Sequence, residues 1–183
     1  MYNRTLVLIL SLVAILLIGA GAKFNIIPTI TGLVTGTASV TVATTVSISL
    51  PTSTAAFGSL QTLQTSNTTD LDPFPIVIRN DGNVNVNLTV NASSLWTSVT
   101  TTSSYFQFNV TENETGSVVS NGVDLRQGTF INMTIGATPE FLANRTKFAA
   151  ANDELRLHLN VTVPEDEAAG AVTSTIDIRA SQS

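Results

Sequence analysis

Glu154-Leu155-Arg156-Leu157-His158-Leu159-Asn160-Val161-Thr162-Val163 decides the fold. Leu155, Leu157, Leu159, Val161 and Val163 alternate without a fault against Arg156, His158, Asn160 and Thr162. Successive side chains of an extended strand point to opposite faces, so this pattern predicts a strand with one face in a core and the other in water. Downstream, Pro164 to Gly170 turns the chain into a last strand, Ala171 to Ala180, with Val172, Ile176 and Ile178 inward. Upstream, Pro139 to Ala151 is expected to form a short helix or loop whose Phe141, Leu142 and Phe148 cap one end of a core. Strands are expected at Thr129 to Ile135, with Ile131, Met133 and Ile135 inward, and at Tyr105 to Val110, with Phe106, Phe108 and Val110 inward. Ile76 to Arg79, the turn Asn80-Asp81-Gly82-Asn83 and the alternating Val84 to Asn91 predict a hairpin, because Asn, Asp and Gly tolerate the positive φ of such turns. Val40 to Leu50 alternates with one slip, a strand with a bulge that Pro51 ends. Seven or eight strands, each with one solvated face, specify an all-β fold. It is an antiparallel two-sheet sandwich, Ig-like or jelly-roll-like, spanning 39–183.

Composition narrows the chemistry. The 183 residues carry a net charge of −5, 11% charged residues, one His and no Cys. With 8 Lys+Arg and no basic cluster, phosphate neutralisation is excluded, and nucleic acid with it. The absence of Cys removes disulfides, thiol nucleophiles and zinc-thiolate sites together. The lone His158 sits on the outward face of the decisive strand, so it reads as a surface residue rather than a catalytic base. Asp70, Asp72, Asp81 and the run Glu165-Asp166-Glu167 read as solvated turns, since none has calcium-loop spacing. Trp96 reads as a core or rim aromatic. No catalytic residue, cofactor or metal site is expected, and the chain reads as a non-enzyme.

The first segment bears on compartment. Leu6 to Ile18 is apolar except for Ser11 and closes in Gly19-Ala20-Gly21-Ala22, which has the h-region and small-residue cleavage pattern of an export signal spanning 1–22. The alternative is a retained membrane anchor, since uncharged Thr5 to Ala22 rises roughly 27 Å as a helix. Cleavage after Ala38 is a further alternative. Behind the signal lie eight Asn-x-Ser/Thr sequons, at Asn67, Asn87, Asn91, Asn109, Asn113, Asn132, Asn144 and Asn160, and a ninth at Asn3 lies inside it. Chance pairing of 15 Asn with 28 Thr and 17 Ser gives about four, so the excess favours N-glycosylation. Asn87, Asn91, Asn109, Asn132 and Asn160 fall on the polar side of their alternating patterns. Export, dense sequons and no cysteine point to an archaeal cell surface.

Residues 23–38 form an apolar extension. Phe24, Ile26, Ile27, Ile30, Leu33 and Val34 share it with a single charge, Lys23, whereas an ordinary tether is polar. Sixteen extended residues reach roughly 50 Å, enough to lie in a neighbour's groove as a donated strand. The alternatives are that the segment pairs with its own domain or continues a membrane helix.

Val46-Ser47-Ile48-Ser49-Leu50, Phe57-Gly58-Ser59-Leu60, Ile78-Arg79-Asn80-Asp81-Gly82-Asn83-Val84 and Val163-Pro164-Glu165 through Gly170 to Ser174-Thr175-Ile176 resemble small secreted Ig-like β-sandwich surface proteins of archaea. The resemblance is greatest to bundling-pilus and thread subunits related to TasA-type biofilm fibre proteins. It implies a jelly-roll-like sandwich that polymerises by donating an N-terminal strand to the next identical subunit and carries many N-glycans. The expectation is therefore a structural subunit of an extracellular filament. A membrane-anchored surface or S-layer-associated adhesion module is the alternative, and a polysaccharide-binding or hydrolytic domain a third reading.

Overall fold

The computed structural model describes residues 39–120 and 124–183. Its sandwich unit is Val42–Ser183, and the other unit, Met1–Thr41, lies almost wholly outside the described residues. The expected export signal or anchor and the whole 23–38 extension fall there. The described residues contain no helix and nine strands: β1 (Ile48–Thr52), β2 (Thr65–Asn67), β3 (Ile76–Asn80), β4 (Val86–Ala92), β5 (Phe106–Glu112), β6 (Ile131–Asn132), β7 (Glu140–Thr146), β8 (Glu154–Thr162) and β9 (Ile176–Gln182). They form two antiparallel sheets, one ordered β1-β3-β8-β5-β6 with β2 also on β8, the other β7-β4-β9.

The faultless strand is the spine of the larger sheet. Along one side β8 pairs with β5 over seven positions, from Phe106↔Val161 to Glu112↔Leu155. Its other side is divided, with β3 opposite Glu154 to Leu157 and β2 opposite Asn160 to Thr162. Ile76, Ile78, Phe108, Val110, Leu155, Leu157 and Leu159 from this sheet meet Val86, Leu88, Val90, Leu142 and Ala143 from the smaller one in a single buried cluster, joined by Met133. Each such aliphatic or aromatic side chain contributes about 1.5–3 kcal/mol by leaving water.

Several expectations are corrected. The Asn80–Asn83 turn does not close a hairpin, because β3 pairs with β1 and β8 while β4 pairs with β7 and β9. Asn80 makes the crossover possible: buried at 1% exposure, it donates from Nδ2 to the Val84 carbonyl (2.9 Å) and the Thr146 carbonyl (3.1 Å) and accepts the Gly82 N–H at Oδ1 (3.1 Å). Alternation requires a buried face but does not say which sheet supplies the partner. Pro139 to Ala151 is neither helix nor loop but contains β7. Two register shifts in the β4–β7 pairing and a positive φ of 48° at Arg145 place consecutive Leu142 and Ala143 both in the core, which disguises the period of two. Phe148 is exposed and Phe141 half-buried, so Leu142 alone of the three expected caps is fully buried.

Strand β1 starts at Ile48 and runs through Pro51, with its register shifted between Ser49 and Thr52. A proline lacks the N–H a ladder requires and is tolerated at such an edge. The preceding residues are extended against the crossover instead: Thr45 O accepts the Asn83 N–H (3.1 Å), Ser47 O accepts the Asp81 N–H (3.0 Å), and Asn83 Nδ2 donates to Ala43 O (2.7 Å). Of the expected Thr129–Ile135 strand, Ile131–Asn132 forms β6 and Ile135 makes an isolated parallel bridge to Ala92, with Met133 fully buried between them.

Candidate functional site

The open edge of the three-stranded sheet is the principal candidate. β9 pairs with β4 over seven positions, from Val86↔Gln182 to Ala92↔Ile176, and among the described residues no strand pairs with its other side. Its inward residues Ile176, Ile178 and Ala180 are only partly buried, whereas Val86, Leu88 and Val90 beside them have no exposure. The core is thus least covered along β9 within this sheet. At the far border of that sheet, β7 is covered: Ala143 and Thr146 bridge Leu125 and Val118, Leu142 O accepts the Arg126 N–H (3.0 Å), and Ser117 O accepts the Lys147 N–H (2.8 Å). The Ser183 N–H donates to Asn85 O (3.1 Å), so the end of β9 reaches the same crossover that holds residues 43–47. The expected donor-strand residues Phe24, Ile26, Ile27, Ile30, Leu33 and Val34 lie outside the described residues. Sequence reasoning placed Ile176 and Ile178 inward but gave no sign of the free edge, which is a property of topology.

The sequon asparagines occupy the outer faces. Register puts Asn67, Asn160, Gln107 and Asn132 in one rung across β2, β8, β5 and β6. Their amides form a ladder in which Asn160 Nδ2 donates to Gln107 Oε1 (2.9 Å) and Gln107 Nε2 donates to Asn132 Oδ1 (3.1 Å). The next rung pairs Asn109 with His158, and beyond it Asn113 bonds Glu154. Asn87 and Asn91 lie on the outer face of β4, opposite Ser181 and Asp177, and Asn144 lies in β7. Outward position does not bring uniform exposure. Asn91 and Asn109 are buried, at 5% and 9% exposure, which corrects the expectation that both stand free on a polar face.

His158 is likewise not a surface residue. At 5% exposure it is covered by the chain after β2, with Nδ1 donating to the Thr68 carbonyl (3.2 Å) and Nε2 accepting from Thr111 Oγ1 (2.9 Å). Burial pushes its pKa down, the bond to the Thr68 carbonyl opposes that, and the Arg156 charge adds to the lowering, so the ring is a neutral structural link. Both of its nitrogens are engaged in these packing contacts.

Glu167, read as a solvated turn, is a clasp. Its two carboxylate oxygens accept the backbone N–H groups and hydroxyls of Thr97 (3.1 and 2.6 Å) and Ser98 (2.9 and 2.6 Å). These four donors, the Ser98 hydroxyl foremost, pull its pKa down to about 2. The clasp fastens the β8–β9 connection to the loop after β4, and no signal in the sequence marks it. Trp96 beside it is buried and donates from Nε1 to Tyr105 O (3.1 Å), the role of a core anchor. Among the described residues no three His, Asp or Glu side chains converge as a metal site would require. No family model, no curated protein and no solved structure matches the chain.

Proposed function

We propose that this chain is a structural subunit of an extracellular cell-surface filament, a pilus or thread, and that Phe24 to Val34 of one copy adds a strand beside β9 of the next. The observation that carries the reading is the seven-residue β9 edge, unpaired on one side among the described residues, with Ile176, Ile178 and Ala180 half-covered. An added strand satisfies that edge's backbone groups and covers those side chains. Its own apolar residues contribute roughly 1.5–3 kcal/mol each on burial, before ordering costs of ~1–2 kcal/mol per residue. The subunit needs no catalytic chemistry, and N-glycans cover its outer faces.

The test compares the full chain with one lacking Lys23 to Val34, by electron microscopy and hydrogen exchange. Filaments in the full-length sample, monomers in the truncated one, and amide protection at Ile176 to Gln182 only in the filaments are the expected results. Filaments from the truncated chain refute the reading. Particles that remain in the membrane and retain Leu6 to Ile18 favour an anchored surface adhesion module instead.

A further inference from the structure

The eight sequons behind the signal are equivalent by motif but not by geometry. A glycan is attached at Nδ2, so a usable asparagine needs that nitrogen free and solvent beside it. In Asn67 the amide oxygen is occupied, accepting the Thr69 N–H (2.9 Å) and the Thr69 hydroxyl, and no bond among the described residues engages Nδ2. Asn87 is alike, with Oδ1 accepting the Arg145 N–H (3.1 Å). Asn132 is exposed on the two-residue edge strand β6, its Oδ1 held by Gln107. Asn144 is half-exposed, and its backbone N–H rather than its side chain is bonded, to Asp124 O (2.6 Å).

The other four are blocked. Asn91 is 5% exposed and its Nδ2 donates to Gly136 O at 2.5 Å, leaving no room for a sugar. Asn109 is 9% exposed beside His158. Asn113 commits Nδ2 to Glu154 Oε2 at 2.5 Å. Asn160 commits Nδ2 to Gln107 in a central strand and stands directly opposite Asn67, so a glycan on Asn67 takes the space above it.

We infer that N-glycans are carried at Asn67, Asn87, Asn132 and Asn144, and that Asn91, Asn109, Asn113 and Asn160 are unmodified in the folded subunit. This deepens the glycosylated-filament reading and rests on it. The donor is an oligosaccharide linked to a lipid phosphate. The sugar C1–O bond to phosphate breaks, the C1–Nδ2 bond forms, the departing Nδ2 proton goes to a base on the transferase, and the lipid phosphate leaves. The four sites serve both faces of the sandwich, and none lies on β1, β3 or β9. None of the four sugars therefore sits on the edge strand assigned to the incoming segment, although Asn87 lies on β4, directly beside β9.

Glycopeptide mass spectrometry on folded protein sheared from its own cells reads occupancy at each asparagine. Sugar at the four open sites with the four blocked sites bare is the expected result. Thr134→Ala, which destroys the Asn132 sequon, should lower the intact mass by one glycan, whereas Ser93→Ala, which destroys the Asn91 sequon, should leave the glycan complement unchanged. Sugar on Asn91, Asn109, Asn113 or Asn160 in folded molecules, or a bare Asn67, Asn87, Asn132 or Asn144 on a chain glycosylated elsewhere, overturns the inference alone. A chain with no sugar at any asparagine overturns the glycosylation reading and this inference with it.

Discussion

Replacing Asn80 tests the crossover on which the two-sheet arrangement turns. Its side chain serves three backbone groups, the carbonyls of Val84 and Thr146 and the N–H of Gly82, at 1% exposure. Asn80→Ala strands all three, and with roughly 1 kcal/mol lost per unpaired group plus a small void, the expected destabilisation is about 2–4 kcal/mol. Asn80→Asp keeps the shape and the acceptor for the Gly82 N–H, but aims the carboxylate oxygen that replaces Nδ2 at two carbonyl oxygens out of water. It should cost more than the alanine change at neutral pH, on the order of 4 kcal/mol or above. The new carboxyl has a folded pKa above the ordinary Asp value of about 3.9, because burial and the facing carbonyls disfavour its charge. Its penalty is full above the folded pKa and shrinks as pH falls towards about 4, where the protonated group donates to one carbonyl. Urea unfolding followed by fluorescence of Trp96, the one tryptophan in the chain, measures both variants. Asn80→Asp within about 1 kcal/mol of the parent at pH 7, or a penalty independent of pH, would refute the reasoning.

Two further substitutions probe the contacts beside that crossover and the far loop. A Cβ on Gly82 would lie 2.5 Å from Thr45 O and 3.2 Å from Ser47 N, so Gly82→Ala should displace residues 43–47, cost about 1–3 kcal/mol, and speed hydrogen exchange at Asp81 and Asn83; unchanged exchange there would contradict it. For Glu167 the folded pKa of about 2 lies below the ordinary 4.5, so its contribution is complete above 4.5 and disappears as pH falls towards 2. Glu167→Gln should flatten the thermal midpoint against pH across that window, and identical slopes for both proteins would show that the clasp does not hold in solution.

Much of the fold was legible because alternation is a local consequence of burial. β8 and β5 carry uninterrupted apolar and polar periods, and their inward residues are all buried, at 4% exposure or less. What was not legible depends on partners distant in sequence. Val84 to Asn91 alternates equally well as a hairpin arm or as the centre of a second sheet, and the choice is made by contacts with β7 and β9. β7 escaped detection because its bulge sets Leu142 and Ala143 inward together. β2 is three residues long, too short for any period, and exists because β8 extends beyond β3. The polar face was misjudged at His158 for a related reason: a strand's outward side is not solvent when another segment, here the chain following Asn67, lies over it. In the candidate site, the sequons and the inward residues of β9 were readable one by one. Their inequality and the open edge were not, since both are set by cross-strand register.

Unpaired sheet edges are aggregation templates, and chains with few charges have little repulsion to keep them apart. Only 11% of this chain is charged, so its edges need other protection. β1 contains Pro51 and a register shift, β6 is two residues long, and β7 is covered by the Val118 and Leu125 segments. β9 has neither proline nor bulge, is seven residues long and regularly paired to β4, and carries partly open apolar side chains, with Asp177 and Arg179 on its outward face as its only charges. Strands left in that condition invite pairing with any extended apolar segment. In the proposed filament that invitation is met by a specific segment of a second copy, and the longest open edge among the described residues becomes the site of assembly.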